Sequence, residues 1–348
     1  MQARSALLIG NFLSASGGVP AVGEELASEL RSAGWQIHAA SSRSSRWARL
    51  LDMVATVWRH RGCYQVAQVD VFSGRAFLWA WLVCWTLRRI AKPYVLMLHG
   101  GNLPAFARGR PRTVQRLLQS AAAITAPSAF MQHAMSPYAR GVQVIPDGFR
   151  LQVYPFRLRR NPRPRLVWLR AFHEIYRPWQ LPEVLALLAN EFPDIQLNMI
   201  GPDRRDGSLA RTRWAARVLN ISERLHLPGP VAKSQVPAEL AKADIFLNTT
   251  TLESFGVSVL EAAALGLCIV STNVGAIPTI WQDGHDALLV PPDDPDAMAQ
   301  AVRRVLTEEG LAERLSRNAR RKAQQFDWSV VLPRWEGVLA SAAQVRTP

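Results

Sequence analysis

Residues 251–274 read TLESFGVSVLEAAALGLCIVSTNV. Just ahead of them, Ala241 to Asn248 ends in a short apolar run that predicts a buried strand. Thr249 to Ser254 predicts a polar loop, and Phe255 to Leu265 an alanine-rich helix stopped by Gly266. Leu267 to Val270 is the next buried strand, which completes a strand–loop–helix–strand unit. Two carboxylates punctuate it, Glu253 in the loop and Glu261 in the helix. The helix rise puts Glu261 about two turns in, roughly 12 Å along the axis. The intervening helix N-terminus offers unpaired N–H groups and a positive dipole end, suited to a phosphate. Two carboxylates so placed suit a nucleotide sugar, one for the sugar hydroxyls and one for the ribose hydroxyls. Spacing alone favours two ordinary exposed charges on an amphipathic helix.

Strands and helices alternate through the rest of the chain, and this predicts an α/β protein of doubly wound parallel sheets. A length of 348 residues suits two domains. Composition turns to Pro, Arg and Tyr between residues 150 and 165, LQVYPFRLRRNPRPR. That stretch divides a first domain, 1–150, from a linker, 151–165, and a second domain, 166–328. Helices are expected over 297–315 and 330–342, with the C-terminal helix, 329–348, crossing back to the first domain.

Formal net charge is +14 and uneven: residues 1–150 hold 17 Lys and Arg against 6 Asp and Glu, the rest 24 against 21. A basic first half points to an anionic partner there. Within it, SSRSSRWARLLDMVATVWRHRG (41–62) aligns Trp47, Leu50, Leu51, Val54, Val57 and Trp58 on one helical face with arginines at the ends. Such a helix either lies on an anionic membrane surface or packs its Trp face on the sheet, and both readings stay open. Arg108, Arg110, Arg112 and Arg116 form a second basic cluster. No recognition-helix or RNA-binding motif accompanies the charge, so nucleic acid is not an expected partner.

The apolar run Ala76 to Leu87 is too short to cross a bilayer, and the N-terminal residues read as a strand rather than a signal peptide. Cys63, Cys84 and Cys268 show neither a disulfide frame nor zinc spacing, and the seven histidines fall singly. These features predict a cytoplasmic protein with no metal centre.

ESFGVSVLEAAALG (253–266), followed by GAIPTIWQDGHDALLVPPDDPDAMAQAV (275–302), resembles the donor-binding half of the retaining glycosyltransferases of family 4, with the GT-B fold and a Glu-x7-Glu motif. The resemblance is close from about residue 225 to 330 and looser elsewhere. It implies two Rossmann-like domains facing across a cleft, the second binding a nucleotide-diphosphate sugar, UDP- or GDP-linked. The first would take a saccharide acceptor; its Trp- and Arg-rich composition suggests a lipid-linked saccharide of bacterial surface glycan synthesis, with the protein peripheral on the inner face of the cytoplasmic membrane. Catalytic roles fall to Glu253, His99 and Arg170. Donor contacts fall to Gly17, Gly18, Arg170, Arg177, Ser254, Phe255, Gly256 and Glu261, with no metal or other cofactor. His99 ends Pro93 to Gly101, a strand finishing in His-Gly-Gly. The chain departs from the family at Ile175, where a diphosphate-binding Lys is usual and Arg177 is the nearest cation. It also departs at Thr279, where Glu is usual. A GT-B epimerase, or an inactive GT-B protein bound to membrane or nucleic acid, remains as an alternative. Donor binding discriminates the inactive protein, which predicts none.

Overall fold

The computed structural model describes residues 4–13 and 22–345. The chain divides into two compact units, Met1–Phe149 with Phe326–Pro348, and Arg150–Gln325.

The first unit begins with β1 (Ser5–Ile9), α1 (Val22–Ser32), β2 (Gln36–Ala40), α2 (Arg46–Arg59) and β3 (Val66–Val71). It continues through α3 (Arg75–Arg89), β4 (Tyr94–Leu98), α4 (Leu103–Gly109) and α5 (Pro111–Leu118), then β5 (Ala123–Ala126), α6 (Ala129–Met135) and β6 (Gln143–Val144). Its six strands run parallel in the order β2-β1-β3-β4-β5-β6. β1 and β4 are buried along their whole length, as parallel strands covered on both faces require. One face packs Leu7, Val57, Val83 and Leu96 into a core, and the other packs Ala6, Leu26, Val95 and Trp335.

α2 divides the apolar face expected for it. Leu50, Met53 and Val57 are buried, whereas Trp47, Leu51 and Trp58 are 74%, 70% and 53% exposed. At about 100° per residue the exposed three share one stripe within about 40°, turned away from the buried stripe. Leu78 and Trp85 form a like stripe on the neighbouring α3 and are also exposed. Arg61 lies over the Trp58 ring at 5.0 Å, and Arg89 over Trp85 at 5.0 Å.

The second unit runs β7 (Arg165–Leu169), α7 (Leu181–Leu188), β8 (Gln196–Ile200), α8 (Ser208–Val218), β9 (Leu225–Gly229) and α9 (Val236–Ala241). There follow β10 (Ile245–Asn248), α10 (Val257–Ala264), β11 (Cys268–Thr272), α11 (Ile277–Ile280), β12 (Leu288–Val290), α12 (Pro295–Thr307) and α13 (Leu311–Gln324). Its parallel sheet is ordered β12-β11-β10-β7-β8-β9. The last helix, α14 (Trp328–Ala343), belongs to the first unit, where Trp328, Val331, Trp335 and Leu339 join the core.

The stretch 151–165, expected as the linker, packs with the second unit. Arg159 is buried, and its guanidinium donates to Asp244 and to the carbonyls of Ala243 and Leu265. The single helix expected over 297–315 is two helices, separated at the left-handed Gly310.

Candidate functional site

In the second sheet the strand order reverses between β7 and β10, the place where open α/β sheets bind ligands beyond their strand ends. Arg170 follows β7 directly and Glu253 lies five residues beyond β10. The two loops are laced together by hydroxyls. Thr249 Oγ1 donates to the Tyr176 carbonyl at 2.6 Å, and Thr251 donates through both N–H and Oγ1 to the Ile175 carbonyl. Thr272 Oγ1 closes the other side on the Thr250 carbonyl. A loop that looked merely polar in sequence is therefore buried or half-buried, with its threonine hydroxyls satisfying backbone acceptors.

This lacing sets the Arg170 guanidinium against Glu253 Oε2 in an ion pair, with the Tyr176 ring stacked 5.1 Å from the guanidinium carbon. Glu253 is 7% exposed and Glu261 3% exposed, which removes the reading of two ordinary surface charges. A buried carboxylate is tolerated only when paired and hydrogen-bonded. Glu253 Oε1 accepts from the N–H groups of Ser254 at 3.1 Å and Phe255 at 3.3 Å. The expectation had turned these N–H groups, with that of Gly256, toward a phosphate; in the structure the first two serve Glu253. α10 starts at Val257 rather than Phe255 because Gly256 sits at φ 97°, outside helical space. Glu261 consequently stands about one turn into the helix rather than two.

Gly275 explains why Gly opens the segment Gly275-Ala-Ile-Pro278. At φ 56°, its missing Cβ would lie 2.1 Å from the Glu253 carbonyl oxygen, and the neighbouring Ala276 N–H donates to that oxygen at 3.0 Å. Thr279 donates to the Ala276 carbonyl at 2.7 Å and so closes the turn.

Glu261 accepts at Oε1 from the Tyr154 hydroxyl at 2.5 Å and from the Lys233 ammonium. Sequence reasoning missed both partners. Tyr154 lay in the stretch taken as a linker, and Lys233 follows β9 with no recognisable motif. Arg177 takes other company. Its Nε lies 3.1 Å from Asp293 Oδ1 and its guanidinium stacks on Trp179, which Arg211 covers at 4.0 Å. These groups line a separate depression of about 350 Å³. The Arg170 Nε is buried without a hydrogen-bond partner among the described residues.

In the first unit His99 Nε2 lies 3.0 Å from Asp70 Oδ1, and the imidazole stacks on Phe72. Burial alone would lower the His99 pKa; the carboxylates of Asp70 and Asp147 outweigh it and raise the pKa above the ordinary 6.5. Gln68 donates to the same Asp70 oxygen at 2.7 Å and fixes it. Gly17 and Gly18 lie outside the described residues. The histidines, scattered in sequence, include one pair that folding gathers: His38 and His60 meet beside Cys63.

Residues 163–308 match the family model described as "Glycosyl transferases group 1". A D-inositol 3-phosphate glycosyltransferase of Paenarthrobacter aurescens is 28% identical over 268 residues, 72% of this chain and 65% of that protein. Across the first curated relatives it matches, the chain spans between 38% and 65% of their length. Among solved structures, sucrose-phosphate synthase from Thermosynechococcus elongatus superposes with a TM-score of 0.81 at 17% identity, over 97% of this chain and 98% of that one. Anabaena HepE in complex with UDP-glucose gives a TM-score of 0.78 at 17% identity, over 97% and 99% of the two chains. The chain thus has the GT-B fold, and its residues 163–308 are similar to the group 1 glycosyltransferases.

Proposed function

We propose that this chain is a retaining glycosyltransferase that moves a hexosyl group from a nucleotide-diphosphate sugar to a saccharide or lipid-linked saccharide acceptor. The observation that carries the reading is the buried Arg170–Glu253 pair at the strand-order reversal of the unit that matches group 1 glycosyltransferases. UDP or GDP is the proposed carrier, and the UDP-glucose complex of HepE supports the former.

In this reading the bond between the anomeric carbon and the diphosphate breaks, with its electron pair leaving on phosphate oxygen. The acceptor hydroxyl attacks the same face and passes its proton to the departing diphosphate. Arg170 balances the charge that develops there, using donors that Glu253 does not occupy. Glu253 orients the sugar and Glu261 holds the ribose hydroxyls. No protein nucleophile and no metal is needed. His99, held by Asp70, is a hydrogen-bond donor suited to a sugar hydroxyl.

Among the described residues no helix is long and apolar enough to cross a membrane. The Trp47, Leu51, Trp58, Leu78 and Trp85 surface with its arginines favours peripheral contact with an anionic membrane, which would present a lipid-linked acceptor.

The test is binding and slow hydrolysis across UDP-, GDP-, ADP- and dTDP-sugars, with Glu253→Gln and Glu261→Gln alongside. One donor bound and hydrolysed by the wild type, with both variants impaired, supports the reading. Absence of any donor binding overturns it in favour of an inactive GT-B protein.

A further inference from the structure

His38, His60 and Cys63 are separated in sequence and belong to three local elements. His38 sits on the edge strand β2, where it pairs in register with Leu7. His60 caps the C-terminus of α2, its N–H bonded back to the Thr56 carbonyl at 3.0 Å. Cys63 follows in a tight turn, its N–H donating to the His60 carbonyl at 2.8 Å. That hydrogen bond folds the thiol back toward the imidazole, while packing of α2 beside β2 supplies the second imidazole. One ligand atom from each residue then lies within 4.8 Å of the others, and the two imidazole centroids are 4.4 Å apart.

We propose that these three side chains form a binding site for a borderline-soft divalent cation, of which Zn²⁺ is the representative, with a water in the fourth position. Two imidazoles and a thiolate are a donor set that such a cation prefers over Mg²⁺ or Ca²⁺. Tetrahedral zinc with these donors has ligand atoms about 3.3–3.6 Å apart, from bond lengths of about 2.0–2.3 Å. The present separations, at most 4.8 Å, exceed this by about 1 Å. Among the described residues neither imidazole pairs with a carboxylate, and the three side chains make no hydrogen bond that competes with a metal. The site works against two nearby positive charges: Arg31 beside His38, whose guanidinium donates to the Ile37 carbonyl at 3.3 Å, and Lys92, which interacts with Cys63 and donates to the Tyr64 carbonyl at 2.7 Å. The thiolate offsets that repulsion with its own negative charge, which an all-histidine site would lack. A cation here ties the tip of α2 to the sheet edge, directly beside the exposed Trp58 and Arg61.

The experiment is metal titration of the full chain after chelator treatment. Zn²⁺ is measured against a chromophoric competitor, and Co²⁺ is followed by absorption. The expected result is one equivalent of Zn²⁺ per chain, with a cobalt spectrum showing thiolate-to-metal charge transfer and strong tetrahedral visible bands. Cys63→Ser removes the charge-transfer band, and both it and His60→Asn weaken Zn²⁺ binding at least about tenfold. Cys63 is exposed, so the serine variant keeps the fold; Cys84 and Cys268 are buried and do not substitute. Failure of the wild type to take up stoichiometric Zn²⁺ overturns the site. So does a cobalt spectrum unchanged by Cys63→Ser.

Discussion

Lys233 reaches across 28 positions of sequence to donate its ammonium to the carboxylate of Glu261, on the side of Oε1 that the Tyr154 hydroxyl also approaches. The ion pair is part of the folded unit, so Glu261 is positioned before any ligand arrives. The Lys233 side chain is 30% exposed, which screens part of the attraction. Replacing it by Met leaves a buried carboxylate with one fewer donor and costs about 1–2 kcal/mol in urea unfolding. Adding Glu261→Gln recovers part of that loss. A double variant no more stable than Lys233→Met removes the coupling.

Gly275→Ala tests the packing of the Gly275-Ala-Ile-Pro278 turn on Glu253. The new methyl would meet a backbone oxygen rather than the end of a flexible side chain, at a backbone angle that L-residues rarely take. We expect a loss of about 1–3 kcal/mol in stability. Donor affinity falls with it, since the Glu253 loop must move. Wild-type melting temperature and donor affinity in this variant would contradict the packing described.

His99 yields the pH prediction. Its folded pKa lies above 6.5, so its pairing with Asp70 contributes stability that is fully present below about pH 6.5 and is lost as pH rises through the folded value. NMR titration of the His99 ring should show a midpoint above 6.5. In Asp70→Asn the midpoint moves down and the stability decline flattens. A ring that titrates below 6.5 in the wild type sinks the assignment.

The exposed aromatic stripe predicts vesicle binding. Flotation with vesicles rich in anionic lipid should recover the protein, with recovery falling as salt rises. Trp47→Ser or Trp58→Ser should weaken partitioning on the order of tenfold each, as expected for about 1.5 kcal/mol of lost burial. Protein that stays in the aqueous fraction at low salt ends the membrane reading.

Much of the fold was legible because parallel strands buried on both faces leave continuous apolar runs, and these sit between amphipathic helices. The segments 93–101 and 241–248 announced β4 and β10 in this way. Glu253, Glu261 and Arg170 stood out in sequence as candidates, through the ESFG and LEA-x3-G context and the position after a strand, and the structure pairs Glu253 with Arg170. Partners were not. Tyr154 was hidden in a Pro- and Arg-rich stretch whose composition resembles a spacer, though burial of Arg159 against Asp244 binds it to the second unit. Arg177 looked like a diphosphate cation from its distance to Arg170 along the chain, yet its left-handed backbone turns it to Asp293 and Trp179.

Sequence by itself determined the alternation of elements, the carboxylates and the basic first half, because each is written in local periodicity or residue type. Only the tertiary structure decided which charges are buried, which tryptophans of α2 face outward and which three ligands meet at its tip. Those outcomes depend on contacts between segments far apart in the chain, and periodicity along a single segment carries no record of what packs against it.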